Sequence, residues 1–310
     1  MKTVFLGTPA FAVPSLEALA QAGHEILAVF TQPDRPSGRG GQMSAPPVKR
    51  RALEMGLAVY QPERIRRPET VGLIASLRPE IMVVVGYGQI IPQSILDIPP
   101  HGIVNVHASL LPRYRGAAPI QWAIANGETR TGVTTMRIDA GLDTGDILLQ
   151  AETEIGPLET APELSERLAR MGAGLLIETL AGLERGSITP VKQNPELATY
   201  APILKKEDGL LDWRRSAAEI HNRVRGFAPW PGAYTRFRGR GLQILRTRPS
   251  PVRIPAAPGS LHLRKPALLA CCGQGETIEF VELQPEGRKP MAASDFLNGY
   301  RVAENEQLGE

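Results

Sequence analysis

Asn105 and His107 stand two positions apart in Ile103-Val104-Asn105-Val106-His107. Apolar and polar residues alternate there, as at the end of a strand, and side chains at i and i+2 of a strand share a face. The two would lie about 7 Å apart at most. An amide donor and an imidazole side by side at the carboxyl end of a strand can polarise a carbonyl oxygen. The same two residues would also suit a strand end capped through backbone hydrogen bonds, and spacing alone leaves both readings open. Asp143 adds a third group, in the glycine-punctuated loop Asp139-Ala140-Gly141-Leu142-Asp143-Thr144-Gly145-Asp146, between strand-like runs at Gly132 to Ile138 and Ile147 to Leu149. A carboxylate brought beside His107 would orient the ring and stabilise a positive charge on it. Aspartates also serve such loops as simple Asx-turn residues. Together the amide, imidazole and carboxylate can stabilise an oxyanion and move protons without a covalent nucleophile.

The elements that must position these groups begin as a βαβ unit. Lys2 to Leu6 is a short apolar strand, Pro14 to Ala22 a helical run with Leu16, Leu19 and Ala20 on one side, and Glu25 to Phe30 a second strand. That opening predicts an α/β fold with a doubly wound, mainly parallel, Rossmann-like sheet. Its first turn, Gly7-Thr8-Pro9-Ala10-Phe11, is no G-x-G-x-x-G fingerprint, so neither a nicotinamide nor a flavin cofactor is expected. Thr31 to Pro47, rich in Gly, Pro, Arg and Ser, reads as an exposed loop. Helices are predicted over Lys49 to Met55 and Glu69 to Leu77, with a strand at Ala58 to Tyr60. Ile81 to Val85 is continuously apolar, as a strand buried on both faces requires, and opens into Gly86-Tyr87-Gly88, where two glycines permit close approach of a ligand. Further helices are predicted over 118–126 and, as one or two pieces, over 158–185.

A polar, proline-punctuated stretch from Ser187 to Pro202 reads as a linker. The predicted division is a domain at 1–187, a linker at 188–204 and a second domain at 205–310. In that second part a helix at Ser216 to Arg225 precedes short strands at Ala233 to Arg236, Leu242 to Arg246, Leu268 to Cys272 and Thr277 to Leu283. Short strands with Gly/Pro turns predict a small OB-like, Greek-key β-barrel.

Charge is uneven along the chain. Residues 1–187 carry 17 Lys and Arg against 19 Asp and Glu, whereas 201–265 alone carry 14 against 4. That window is a candidate nucleic-acid surface, with a solvated basic face as the plainer alternative. At 310 residues the chain suits two domains with their own cores, and two complete domains make a monomer the expectation. No apolar run approaches a membrane span, and the apolar start at Val4 is too short for a signal peptide. The only cysteines, Cys271 and Cys272, are neighbours without metal-ligand spacing, which fits a reducing cytoplasm and predicts no metal.

Several separated motifs resemble the folate-dependent formyltransferases: Asn105-x-His107 with the following Ser109-Leu110-Leu111-Pro112, Asp143 in Gly-Leu-Asp-Thr-Gly, and Gly7-Thr8-Pro9. Also matching are Gln32-Pro33-Asp34-Arg35-Pro36-Ser37-Gly38-Arg39-Gly40, Arg115-Gly116-Ala117-Ala118-Pro119-Ile120 and Phe227-Ala228-Pro229-Trp230-Pro231-Gly232. The resemblance is closest to the branch that acts on initiator methionyl-tRNA. It implies Asn105, His107 and Asp143 as catalytic residues and 10-formyltetrahydrofolate as formyl donor. It further implies a folate pocket lined by Ser109, Leu110, Leu111, Pro112 and the Gly86, Tyr87, Gly88 backbone, with Arg39 on the tRNA; Lys205 and Lys206, in the basic 201–265 window, are expected to help position the tRNA. A formyltransferase acting on a small amine, such as an amino-sugar nucleotide or glycinamide ribonucleotide, would share the three catalytic residues. An RNA-binding protein with an inactive enzyme domain is the reading from another class.

Overall fold

The structure, a computed structural model, describes residues 1–37, 42–264 and 266–309. The chain divides into two compact units. The first comprises Met1–Gly116, Thr131–Thr153 and Ser165–Tyr200; the second comprises Ala117–Arg130, Glu154–Leu164 and Ala201–Glu310.

In the first unit a seven-stranded sheet runs in the order Ile147–Glu154, Arg130–Arg137, Ile103–His107, Ile81–Val85, Lys2–Gly7, Glu25–Phe30, Val59–Tyr60. The last five of these are parallel neighbours. Numbered along the chain they stand 3-2-1-4-5, the Rossmann order, and the order reverses between Lys2–Gly7 and Ile81–Val85. Arg130–Arg137 joins antiparallel to Ile103–His107, so the sheet is mixed. All five residues of Ile81–Val85 are buried, as its unbroken Ile-Met-Val-Val-Val run requires of a strand covered on both faces. Helices Val13–Gln21, Pro47–Glu54 and Pro68–Leu77 each carry proline in the first turn, where the missing N–H costs nothing. A single helix, Ala161–Glu184, occupies the region expected to hold one or two. It closes on the sheet through Gly172: a Cβ there would sit 2.9 Å from Val106 Cγ1, between Asn105 and His107. Within the expected loop 31–47, Arg35–Ser37 and Gln42–Ser44 pair as a short antiparallel ribbon. Residues this rich in Pro and Gly give no strand signal, so pairing there had no local signature.

The second unit is built on an antiparallel sheet in the order Ala233–Phe237, Arg240–Ser250, Thr277–Pro285, Ala267–Cys271, Leu261–Arg264, with Met291–Ala292 also paired to Thr277–Pro285. Arg238 and Gly239, both at positive φ, turn the first hairpin. Its core gathers Trp213, Ile220, Val224, Leu242, Phe280 and Phe296. Helix Ala217–Gly226 opens on a capping box: Ser216 Oγ accepts from the Glu219 N–H at 3.2 Å, and the Glu219 carboxylate accepts from the Ser216 N–H at 3.0 Å. Among the described residues the strand ladders leave this sheet open and so do not close the expected barrel; the C-terminal segment reaches both edges, with isolated bridges at Phe237–Leu308 and Ser260–Gln307 and further backbone bonds from Leu261 to Glu306 and from Gly309 to Arg236. The strand Leu261–Arg264 and the helix Ala293–Tyr300 had no counterpart in the sequence reading, both being short.

Candidate active site

Ile103–His107 delivers two side chains to the carboxyl end of the sheet. Asn105 pairs in register with Met136 across the antiparallel neighbour, and His107 with Thr134. Both are buried, at 9% and 6% exposure. The Asn105 side-chain amide makes no hydrogen bond to another described residue and is not among the polar atoms sealed from solvent, so it is free to meet a ligand from the carboxyl end of its strand.

His107 is held at one ring nitrogen and open at the other. Nε2 lies 2.9 Å from the Tyr114 carbonyl oxygen, which can only accept, so Nε2 carries the proton. Nδ1 faces Asp143 Oδ2 at 3.7 Å, too long for a direct hydrogen bond. Tyr114 sits at φ 59, a left-handed conformation that an L side chain rarely adopts. Its N–H donates to Thr199 Oγ1 at 2.8 Å, and the following Arg115 N–H donates to the Thr199 carbonyl at 2.8 Å. Those bonds offset the strain and fix the carbonyl that sets the tautomer.

Asp143 is over-determined in the same way. It too is left-handed, at φ 51. The loop before it is closed by Asp139 Oδ1, which accepts from the Gly141 N–H at 3.0 Å and the Thr144 hydroxyl at 2.7 Å. Gln193 Nε2 donates to the carbonyls of Asp143 and Gly145, each at 2.8 Å, while its Oε1 accepts two bonds from the Arg115 guanidinium at 3.1 and 2.7 Å. So held, Asp143 Oδ2 accepts the Gly116 N–H at 2.8 Å and presents its charge to His107. The Asx turn that the loop composition suggested is real, but it belongs to Asp139; Asp143 is the residue it aims.

The loop after His107 is pinned by Thr134, wholly buried on the facing strand. Its Oγ1 donates to the Ser109 carbonyl at 2.7 Å, accepts the Leu111 N–H at 3.1 Å and accepts Gln150 Nε2 at 2.9 Å. Ser109 Oγ spans the loop to the Arg113 carbonyl at 2.6 Å. Leu110 packs over Gly132, where a Cβ would fall 2.6 Å from Leu110 Cδ2, and Leu111 is buried ahead of Pro112. Gly86 and Gly88 take φ 57 and 83 at the end of their strand, a turn that suits glycine. The ring of Tyr87 between them is 1% exposed in the core, and burial pushes its hydroxyl well above the ordinary tyrosine range. Its carbonyl instead faces the turn, accepting from Thr8 Oγ1 at 3.0 Å and Gln32 Nε2 at 3.1 Å.

Lys205 and Lys206 lie exposed on a single turn in the second unit. Arg39 lies outside the described residues. Among the described residues no group of three or more His, Cys, Asp or Glu side chains is placed to hold a metal ion. Thr134, Gln193 and Thr199 were not visible as functional in sequence, since each works through partners brought in from distant positions. What the arrangement offers chemically is an unpaired amide, an imidazole nitrogen open to a substrate, and a fixed carboxylate behind it.

Comparison with known proteins matches residues 1–180 to the model of the Formyl transferase family and residues 203–301 to that of the formyl transferase C-terminal domain. The methionyl-tRNA formyltransferase of Solibacter usitatus is 62% identical over 310 residues, covering 100% of this chain and 99% of its own. That of Acidobacterium capsulatum is 56% identical, covering 100% of both. Among solved structures, an N-formyltransferase from Helicobacter canadensis in complex with folinic acid and dTDP-3-aminofucose superposes with a TM-score of 0.69 at 19% identity, over 92% of this chain and 99% of that one. HypX from Aquifex aeolicus in complex with tetrahydrofolic acid gives 0.63 at 16% identity, over 99% of this chain and 48% of that one. At such identities the two structures speak for the fold alone.

Proposed function

The chain belongs to the formyl transferase family, and on that premise we propose that it moves the formyl group of 10-formyltetrahydrofolate onto the α-amino group of initiator methionyl-tRNA. The observation that carries this reading is full-length identity of 62% to a methionyl-tRNA formyltransferase, supported by Asn105 and His107 on one strand and Asp143 3.7 Å from His107 Nδ1. The amine nitrogen attacks the formyl carbon, and a tetrahedral intermediate forms. The bond from that carbon to the folate nitrogen then breaks, the amine loses a proton, and tetrahydrofolate leaves with a proton on the nitrogen it has regained.

Asn105 donates to the developing oxyanion, and His107 joins it through Nδ1–H when its ring carries a second proton, each donor worth roughly 3 kcal/mol in comparable acyl transfers. Asp143 holds the charge on His107 and relays the proton given up by the amine. Support for these roles comes from the unpaired Asn105 amide and from the Tyr114 carbonyl, which commits Nε2 and leaves Nδ1 to substrate. The folate lies along Ser109 to Pro112 and the Gly86-Tyr87-Gly88 turn, where main-chain groups and positive-φ glycines let a flat ring approach the backbone. We assign catalysis to 1–187 and tRNA binding to 205–310 across the linker 188–204, with the antiparallel sheet of the second part serving as an OB-type platform and Arg39, Lys205 and Lys206 on the tRNA. The excess of basic residues in 201–265 supports that assignment. Translation initiation places the work in the cytoplasm.

The test is transfer of labelled formyl from 10-formyltetrahydrofolate to charged initiator tRNA, with charged elongator tRNA and an amino-sugar nucleotide alongside. Transfer to initiator tRNA alone is the expected result. Transfer only to the small amine would overturn the acceptor while keeping the chemistry.

A further inference from the structure

One aromatic side chain in the second unit faces water where packing would bury it. Trp230 is 56% exposed, whereas Trp213 is 6% exposed and Trp122 is half-buried with its ring edge on Phe227. The chain around it leaves the core and returns within five residues. Phe227 is fully buried against Trp122, Ala118, Ala125 and Leu204; Pro231 is buried again; and the Gly232 N–H donates to the Phe227 carbonyl at 2.9 Å, closing the loop. Pro229 and Pro231 fix their own φ and restrict Ala228 and Trp230 to extended backbone. The indole is thus presented on a stiff scaffold, and ordering it costs little when something binds.

A second observation gives the surface its charge. The turn Lys206–Gly209 runs against the base of this loop: a Cβ on Gly209 would lie 2.0 Å from the Gly232 carbonyl oxygen, so the two backbones touch. Leu210 and Tyr234 then pair as a bridge. Arg223 ties both segments to one helix, its guanidinium 5.5 Å from the Phe227 ring centroid and its Nη1 donating to the Asp208 carbonyl at 3.4 Å. Asp208 turns its carboxylate inward to accept the Lys205 N–H at 2.7 Å. Lys205 and Lys206 make no ion pair among the described residues. An exposed, pre-ordered aromatic ring on a loop whose base touches a turn carrying two uncommitted ammonium groups is a pairing suited to unstacked nucleotides, the ring taking the base and the cations the phosphates.

We propose that Trp230 is a stacking platform for an unpaired base of the acceptor tRNA, with Lys205 and Lys206 on the neighbouring phosphates. The proposal rests on the tRNA reading above and adds a residue which that reading does not use. In the full-length protein, Trp230→Ala should raise KM for charged initiator tRNA about tenfold, the size of one base-on-ring stack, with kcat and the folate KM unchanged. Trp230→Phe, which keeps a smaller face, should fall between the two. An independent readout is iodide quenching of tryptophan fluorescence, which reports chiefly on the exposed Trp230: uncharged tRNA should shield it in the wild type, and the shielded component should be absent in Trp230→Phe. An unchanged tRNA KM in Trp230→Ala, or an equal rise in the folate KM, would overturn the proposal. Absence of tRNA formylation by the wild type would instead remove the acceptor reading, and the shielding experiment would still decide whether Trp230 meets RNA.

Discussion

Replacing Thr134 with valine removes one buried hydroxyl and keeps the side chain's shape. That hydroxyl serves three partners: the Ser109 carbonyl, the Leu111 N–H and the Gln150 amide. Gln150 keeps its second bond, to the Leu111 carbonyl at 2.9 Å, so two backbone groups bear the loss. A buried donor or acceptor left unpaired costs about 1–3 kcal/mol, which puts Thr134→Val at about 2–6 kcal/mol. For a unit of this size that lowers Tm by roughly 5–15 °C. Thr134→Ser keeps the hydroxyl and loses a methyl group, at about 1 kcal/mol. Because the same bonds pin Ser109 to Pro112, the folate KM should rise in the valine variant and stay near wild type in the serine variant. Thermal melts and initial-rate kinetics on the two proteins check this. Equal destabilisation by serine and valine, or a valine variant with unchanged Tm, would refute the claim that the hydroxyl holds the loop.

Other variants separate the remaining roles. Asp143→Asn keeps an acceptor for the Gly116 N–H but removes the charge beside His107, so kcat should fall roughly 100-fold with little change in Tm. Burial holds the His221 imidazole below the ordinary histidine range, the bond to the Pro157 carbonyl opposing this and the Arg225 charge adding to it. The unfolded chain therefore takes up the proton first as pH falls, and stability present above about pH 6.5 is lost as pH falls below that value. Denaturant unfolding at pH 7 and pH 5 should show the drop, and His221→Gln should flatten it. Burial pushes the Cys272 thiol up to about 12, with Cys271 and Glu276 adding to the effect. Alkylation at pH 8 should then follow global unfolding, and rapid labelling of the native protein would contradict that.

The strand Ile103–His107 was legible because two-residue alternation speaks locally: Asn105 and His107 need only a strand to share a face, and the structure gives them one. The βαβ opening was legible from short apolar runs on either side of a helical period, and it implied a mainly parallel sheet; the strand order itself came only from the structure. Polar residues whose partners lie far along the chain left no such trace. Gln193 reaches Asp143 from fifty positions away and Thr199 reaches Tyr114 from eighty-five, so neither differs in sequence from ordinary linker residues. Tyr87 was expected to contribute its backbone, and the structure shows what the sequence left open: the ring fills the core while the carbonyl faces the turn. In the second unit the short strands were visible, but closure depends on whether edges meet, and here both edges meet the C-terminal segment through isolated bridges and scattered backbone bonds in place of a continuous ladder. Arg39, singled out by its loop, lies outside the described residues.

The central claim is that Asn105 stabilises the transition state and does not merely bind folate. Its most direct test is a single-turnover rate of formyl transfer by Asn105→Ala, with both substrates saturating, beside the equilibrium affinity for the folate. The geometry predicts a rate lower by about 100- to 1,000-fold and an affinity near that of the wild type. A rate close to wild type, or a loss of folate affinity as large as the loss of rate, would contradict it.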